Sequence, residues 1–236
     1  MGKFYLDLEF TNGNYYLADI IEVALVSDSG CIFQRYVKLN YTLPGRVTSF
    51  TGITDKTLRV HGIPFRDVIN DMVKFVNKLE QEPVIVAHNG YFSDFPILLT
   101  NCMKHGVNVS LLDGYKFIDS MQIIKKNTGV HSPGLASLGQ TVVQHSALED
   151  AKLLKMVCTR YDIPSSQYTL SDLLCHLKLK LPLSIAEIRH IAATSSRYEI
   201  FLDRLWSYAR RKTALRPEQV EKVAIYYYRN HQSFDV

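Results

Sequence analysis

Cysteine is scarce in this sequence. Cys31, Cys102, Cys158 and Cys175 are the only four, and no two of them stand in CxxC spacing. That argues against a zinc site or a disulfide framework and fits a reducing compartment. Long apolar runs are missing too, so no segment reads as a membrane span. The first strand carries Lys3 and Asp7, which a signal peptide would not. Gly2 is not followed by the Ser or Thr that myristoylation wants at position 6, where Leu6 stands. Internal repeats and low-complexity stretches are absent as well. The expectation is an intracellular protein, nuclear or cytoplasmic.

What is present is ordinary for a globular chain of 236 residues: 47% hydrophobic and 21% charged. That length fills one good core and leaves room for a small second module. The net charge is +4 and unevenly placed. Residues 165–236 hold 11 Lys and Arg against 7 Asp and Glu, while residues 1–164 balance at 16 against 16. A basic excess confined to one end is compatible with a polyanionic partner.

The chain starts with three strand patterns, at 3–10, within 16–28, and at 31–39. Asn12-Gly13 and Ser29-Gly30 supply turns between them, which predicts an antiparallel meander. Pro44-Gly45 breaks the chain into a loop. Residues 64–80 then show helical spacing, with Val68, Met72, Phe75, Val76 and Leu79 on one face and Pro64 suited to the start. The run PVIVAH (83–88) reads as a strand buried on both faces. Helices are predicted at 93–105, 134–143 and 146–161, with a short strand at Phe117-Ile118 and a helix from Asp119 through Ile124. A meander followed by strand–helix alternation predicts an α/β protein with a mixed sheet flanked by helices. Residues 162–166 read as a linker. Helical segments follow at 169–178, 184–193, 197–212 and 217–230. The predicted division is a domain at residues 1–164 and a basic helical module at residues 165–236.

Two carboxylates, Asp7 and Glu9, lie two apart in the apolar strand KFYLDLEF. On a strand, that spacing points both to one face. Burying like charges together is costly unless something pairs with them. Asp94 follows the buried strand 83–88, and Asp150 sits near the packed face of a helix that His145 precedes. A divalent hard cation removes the conflict, since Mg²⁺ and Mn²⁺ favour carboxylate oxygens. Two such ions together are a usual arrangement for phosphodiester cleavage. Asp119 reads instead as a helix cap.

Four stretches carry a family resemblance. They are DLEFTN with ADIIEVALV, SFTGITDKTL (49–58), VAHNGYFSDFPILL (86–99) and HSALEDAKLL (145–154). In that order they resemble the DEDDh family of 3′→5′ exonucleases. Ser93, which separates Phe92 from Asp94, gives the longer spacing of the three-prime repair exonuclease branch, as does Asp94-Phe95-Pro96. The stretch GLASLGQTVVQHSALEDAKLLKMV and parts of the tail resemble the exonuclease-like C-terminal regions of the promyelocytic leukaemia protein and its vertebrate relatives. In the leukaemia protein the acidic set is degraded; here all five positions are filled.

The resemblance implies a ribonuclease-H-like fold and a metal-dependent 3′→5′ exonuclease releasing nucleoside 5′-monophosphates. It implies two Mg²⁺ or Mn²⁺ as cofactors. Asp7 would bridge both sites, Glu9 and Asp150 would serve the one that activates water, and Asp94 the other. His145 would be the general base. Thr51, Gly52 and Ile53 would lie against the 3′-terminal nucleotide, and His88 and Asn89 would organise the loop before Asp94, with substrate contact open. The partner would be a nucleic acid with a free 3′ end, DNA favoured and RNA open. In the tail, Arg204, Arg210, Arg211 and Lys212, interleaved with Trp206 and Tyr208, fit either a nucleic-acid track or a docked helical module. A non-catalytic scaffold on the same fold is the rival reading.

Overall fold

Alternating side chains in Lys3–Phe10 (β1) send Phe4, Leu6 and Leu8 to one side and Tyr5, Asp7 and Glu9 to the other. The computed structural model describes residues 2–180, apart from 14, 16, 17, 132, 141–144 and 162, together with residues 190, 191, 194, 200 and 204. β1 lies at the centre of a seven-stranded sheet. It pairs antiparallel with β2 (Ile20–Ser27), which pairs antiparallel with β3 (Ile32–Val37), completing the expected meander.

Two short helices follow where a loop was expected, α1 (Gly45–Thr51) and α2 (Asp55–His61). Pro44 opens the first, and Gly52 ends it with its backbone in the left-handed region at φ 72°. Thr54 caps the second by accepting the Thr57 amide. A two-residue strand, β4 (Gly62–Ile63), then pairs parallel with β3 and leads into α3 (Phe65–Leu79). Next come β5 (Val84–Ala87), buried throughout, a 3₁₀ turn at Gly90–Phe92, and α4 (Asp94–Lys104). β6 (Lys116–Asp119) leads into α5 (Ser120–Thr128), followed by α6 (Leu135–Gly139) and α7 (Ala147–Cys158). β5 and β6 run parallel to β1 on its other side, as a continuously apolar strand predicts. Residues 141–143 of the predicted 134–143 helix lie outside the described residues.

The sheet order is β4-β3-β2-β1-β5-β6-β7, where β7 (Tyr168–Thr169) pairs antiparallel with β6. One face of β1 packs toward α3, with Phe4 edge-on to Phe75. The other face packs under α7, where Tyr5 clusters with Leu154 and Cys158.

The chain divides into two compact units, Met1–Leu173 and Leu174–Val236. The division falls after the sequence boundary at 164/165 because residues 168–169 belong to the sheet. α8 (Leu170–Lys180) covers all but the first residue of the predicted 169–178 helix. The other predicted tail helices lie outside the described residues except His190, Ile191, Ile200 and Arg204, which are helical. Arg204 donates to the Thr194 carbonyl within the second unit. No helix among the described residues is long and apolar enough to cross a membrane.

Candidate metal centre

Three elements supply the acids. Asp7 and Glu9 come from the centre of the sheet, the stiffest place available. Asp150 comes from α7, which lies over β1 and β2. Its sheet-facing residues follow helical spacing: Ala147, Asp150, Ala151, Leu154 and Cys158 are all buried. The contact with β2 is made by small side chains, Ala147 and Ala151 against Ala24 and Val26. These let the helix backbone come down close to the strands, which carries Asp150 to the sheet acids. One carboxylate oxygen from each of Asp7, Glu9 and Asp150 lies within 4.8 Å of the others.

Asp94 begins α4, after a turn that only glycine fits. A Cβ at Gly90 would sit 2.7 Å from the Ala87 Cβ and 2.8 Å from the Phe95 ring. Asp94 is 5% exposed. It stands outside the triplet, yet it is the largest charge acting on Asp7. Amide hydrogen bonds from its own backbone and from Leu8 partly offset its burial.

Each of these acids is pushed toward its protonated form, burial being the first cause in every case. Asp7 is raised well above the usual carboxylate range, by burial and then by Asp94, Glu9 and Asp150. Glu9 is pushed up to about 8, and Asp94 to about 7. Asp150 is also raised, with the charge of His145 opposing the shift. Among the described residues none of the four pairs with a Lys or Arg. The contrast is Asp19, another buried acid, which has Lys104 as its ion-pair partner. A convergence of buried carboxylates without a cation suits a hard divalent ion in donor type, number and unmet charge.

A fifth acid completes the surroundings. Glu22 of β2 lies directly across from Glu9 and is 1% exposed. Its carboxylate accepts from the Ala147 amide at 3.2 Å and from the Gln34 side chain at 2.6 Å. Ser146, the N-cap of α7, offers no side-chain bond. Glu22 therefore caps from across the sheet the helix that carries Asp150. The sequence carried no signal for this, because the partners are 125 residues apart.

His145 immediately precedes α7, with its backbone in the left-handed region at φ 48°. Its ring lies over that of Phe50, centroids 3.7 Å apart. The remaining candidates divide by exposure. Ile53 is 5% exposed and packs with Ile21, Leu43, Val47 and Leu58, so its side chain serves the core. Thr51 donates to the Val47 carbonyl and accepts the Ile53 amide. Gly52 is exposed. His88 uses both ring nitrogens inside the protein, Nε2 on the Pro133 carbonyl at 2.7 Å and Nδ1 with the Ser120 hydroxyl at 3.0 Å. Burial lowers its pKa, consistent with a neutral ring that donates from Nε2. Asn89 takes the left-handed conformation that opens the 3₁₀ turn. Asp119 caps α5 by accepting the Met121 and Gln122 amides and also takes the Tyr91 amide. It holds α5 to the turn before Asp94, in keeping with its reading as a cap.

A mixed sheet with helices on both faces and a carboxylate cluster over its central strand defines the ribonuclease-H-like class. Within that class the chain belongs to the exonuclease (RNase_T) family, which matches residues 4–157. The nuclease domain of 3′hExo, a DEDDh family member solved with rAMP, is 18% identical with a TM-score of 0.59, covering 70% of this chain and 97% of that one. Cell-death related nuclease 4 (CRN-4) is 18% identical with a TM-score of 0.56, covering 67% of this chain and 62% of that one. E. coli Exonuclease I, solved with a dA16 oligonucleotide, is 12% identical with a TM-score of 0.56, covering 76% of this chain and 43% of that one. This chain thus spans less than two thirds of the CRN-4 and Exonuclease I chains. No curated protein sequence matches it.

Proposed function

We propose that this protein is a metal-dependent 3′→5′ exonuclease that removes nucleoside 5′-monophosphates from nucleic-acid 3′ ends. The observation that carries the reading is the convergence of Asp7, Glu9 and Asp150, with no Lys or Arg paired to them among the described residues. Asp7, Glu9 and Asp150 would hold one Mg²⁺ or Mn²⁺, and Asp7 with Asp94 a second. When bound, such ions offset the negative charge that builds on the phosphate and on the departing 3′ oxygen. His145 accepts the proton of the attacking water, a task that suits imidazole near neutral pH. The sheet keeps Asp7 and Glu9 fixed, and Glu22 keeps α7 fixed, so the acids meet the substrate already aligned. Thr51 and exposed Gly52, at the end of α1, flank the 3′-terminal nucleotide. DNA is the favoured substrate, on the Ser93–Asp94 spacing shared with the three-prime repair exonucleases.

The test is degradation of DNA and RNA oligonucleotides of one sequence, labelled at either end, with Mg²⁺ or Mn²⁺. A 3′ label should leave as a mononucleotide at the first turnover, and a 5′ label should descend a ladder. Asp7→Asn and His145→Ala should each lose at least ~100-fold in kcat. Faster cleavage of RNA would reassign the substrate. Intact oligonucleotides with the wild-type protein would leave only a non-catalytic scaffold.

A further inference from the structure

Among the described residues, the general base proposed for this site lacks the support such a residue ordinarily has. A catalytic histidine is usually oriented by a hydrogen bond to its second nitrogen. Among the described residues, no hydrogen bond reaches the His145 ring. His145 is also only partly buried and carries an uncommon left-handed backbone. Among the described residues, the ring that meets it is Phe50, at a centroid separation of 3.7 Å and an interplanar angle of 33°.

Phe50 is otherwise an odd residue. It is 60% exposed, among the most exposed large apolar side chains described. Its helix does not need it for docking, since α1 is held by Val47 in the cluster with Ile21, Leu43, Ile53 and Leu58. Gly52 caps the helix through its bond to Thr48, and Thr51 ties the exit to Ile53. The backbone under Phe50 is therefore fixed although its side chain is exposed. A fixed aromatic plane constrains a histidine ring at χ1 and χ2 without occupying either nitrogen. Both nitrogens stay available, one to take a proton and the other to face solvent.

We infer that Phe50 is a positioning residue for His145, a flat support that sets the imidazole plane toward the acids in place of the usual hydrogen-bonded partner. This rests on the exonuclease reading of the same site. It also gives the SFTGITDKTL segment a second task, since that segment would flank the 3′ terminus while holding the base that takes a proton from the attacking water.

The test is a double-mutant cycle with steady-state kinetics on a 3′-labelled oligonucleotide. Phe50→Ala should lower kcat about 10- to 100-fold while KM stays within about twofold. Phe50→Tyr, which keeps the plane, should recover most of the rate. Phe50→Ala should add nothing in a His145→Ala background, because the residue it positions is gone. The independent readout is NMR of the histidine ring protons with no substrate present. The His145 resonances should be shifted upfield by the Phe50 ring and move downfield in Phe50→Ala. A raised KM with unchanged kcat would overturn the inference and make Phe50 a substrate contact. An additive loss in the double variant would overturn it too, as would unshifted ring protons. An inactive wild type that still shows the shifted protons would sink the exonuclease reading and leave only the ring contact.

Discussion

Glu22 shows how a single buried acid can serve a site without touching its chemistry. Its two oxygens are taken by the Gln34 amide and the first amide of α7, both of which favour the ionised form. Burial pushes the other way and raises its pKa, so the residue is held between opposing effects. The same charge is the largest one acting on Glu9, directly opposite on β1. Glu22 thus anchors the helix that brings Asp150 while making the pocket hungrier for a cation. These two effects separate by substitution. Glu22→Gln removes the charge but keeps an acceptor for the Ala147 amide. Glu22→Ala removes both, and leaves that amide and the Gln34 side chain without their bonds. With Mg²⁺ present, Glu22→Ala should lose about 1–3 kcal/mol in urea unfolding and Glu22→Gln less than half of that. Equal losses would show that the charge, not the hydrogen bond, is what the fold uses.

The element that decides the site is α7, and the property that matters is the smallness of its sheet-facing side. Ala147 and Ala151 are both fully buried against Ala24 and Val26. A larger side chain at either position would have to lift the helix from β1 and β2. Ala151→Leu should therefore overpack by about 1–3 kcal/mol. It should also cut nuclease activity at least ~10-fold, because Asp150 would leave the reach of Asp7 and Glu9. Met156→Ala, on the exposed side of the same helix at 41%, should change neither. Thermal melts and the labelled-oligonucleotide assay on the two variants check this. Elements of this kind were readable in the sequence where they were long or strongly periodic. β1, β5, α3 and α7 each carry an uninterrupted pattern over the residues that form them. α1 and α2 do not: seven residues each give too few turns to establish a period, and Pro44-Gly45 reads as a break although Pro44 is the N-cap of α1. The acids were legible because a strand period of two placed Asp7 and Glu9 on one face. Glu22 and Phe50 were not, since their partners, Ala147 and His145, join them only through the sheet and the packing of α1. Ile53 was read by its place in a motif, which carries no signal for the core cluster its side chain packs in.

For the whole molecule, the acid cluster sets how stability depends on pH and metal. Glu9 moves from an ordinary 4.5 to about 8, and Asp94 from 3.8 to about 7, while Asp7 and Asp150 shift in the same direction. In that window the folded, metal-free protein keeps protons that the unfolded chain has already released. Stability then falls as pH rises, the reverse of an acid paired with a base. The contribution is whole below the ordinary carboxylate range and is lost progressively as pH climbs toward 8. In EDTA, the melting temperature should accordingly drop between pH 5 and pH 8. A bound cation supplies the missing charge and displaces the protons. At a hundredfold excess over its dissociation constant it adds about 2.7 kcal/mol, which for a chain of this size is roughly 5–10 °C. The shift should be larger at pH 8 than at pH 5, since fewer protons then compete. Asp7→Asn removes one of the repelling charges at the centre of the cluster. It should therefore melt higher than wild type in EDTA at pH 8, lose the Mg²⁺ shift, and lose nuclease activity together with it. Calorimetry or dye-based melts across this pH range, with EDTA, Mg²⁺ and Mn²⁺ arms, measure all three. A wild-type melting temperature that is flat from pH 5 to pH 8 in EDTA and unmoved by either metal would mean that these carboxylates neither repel one another nor hold an ion.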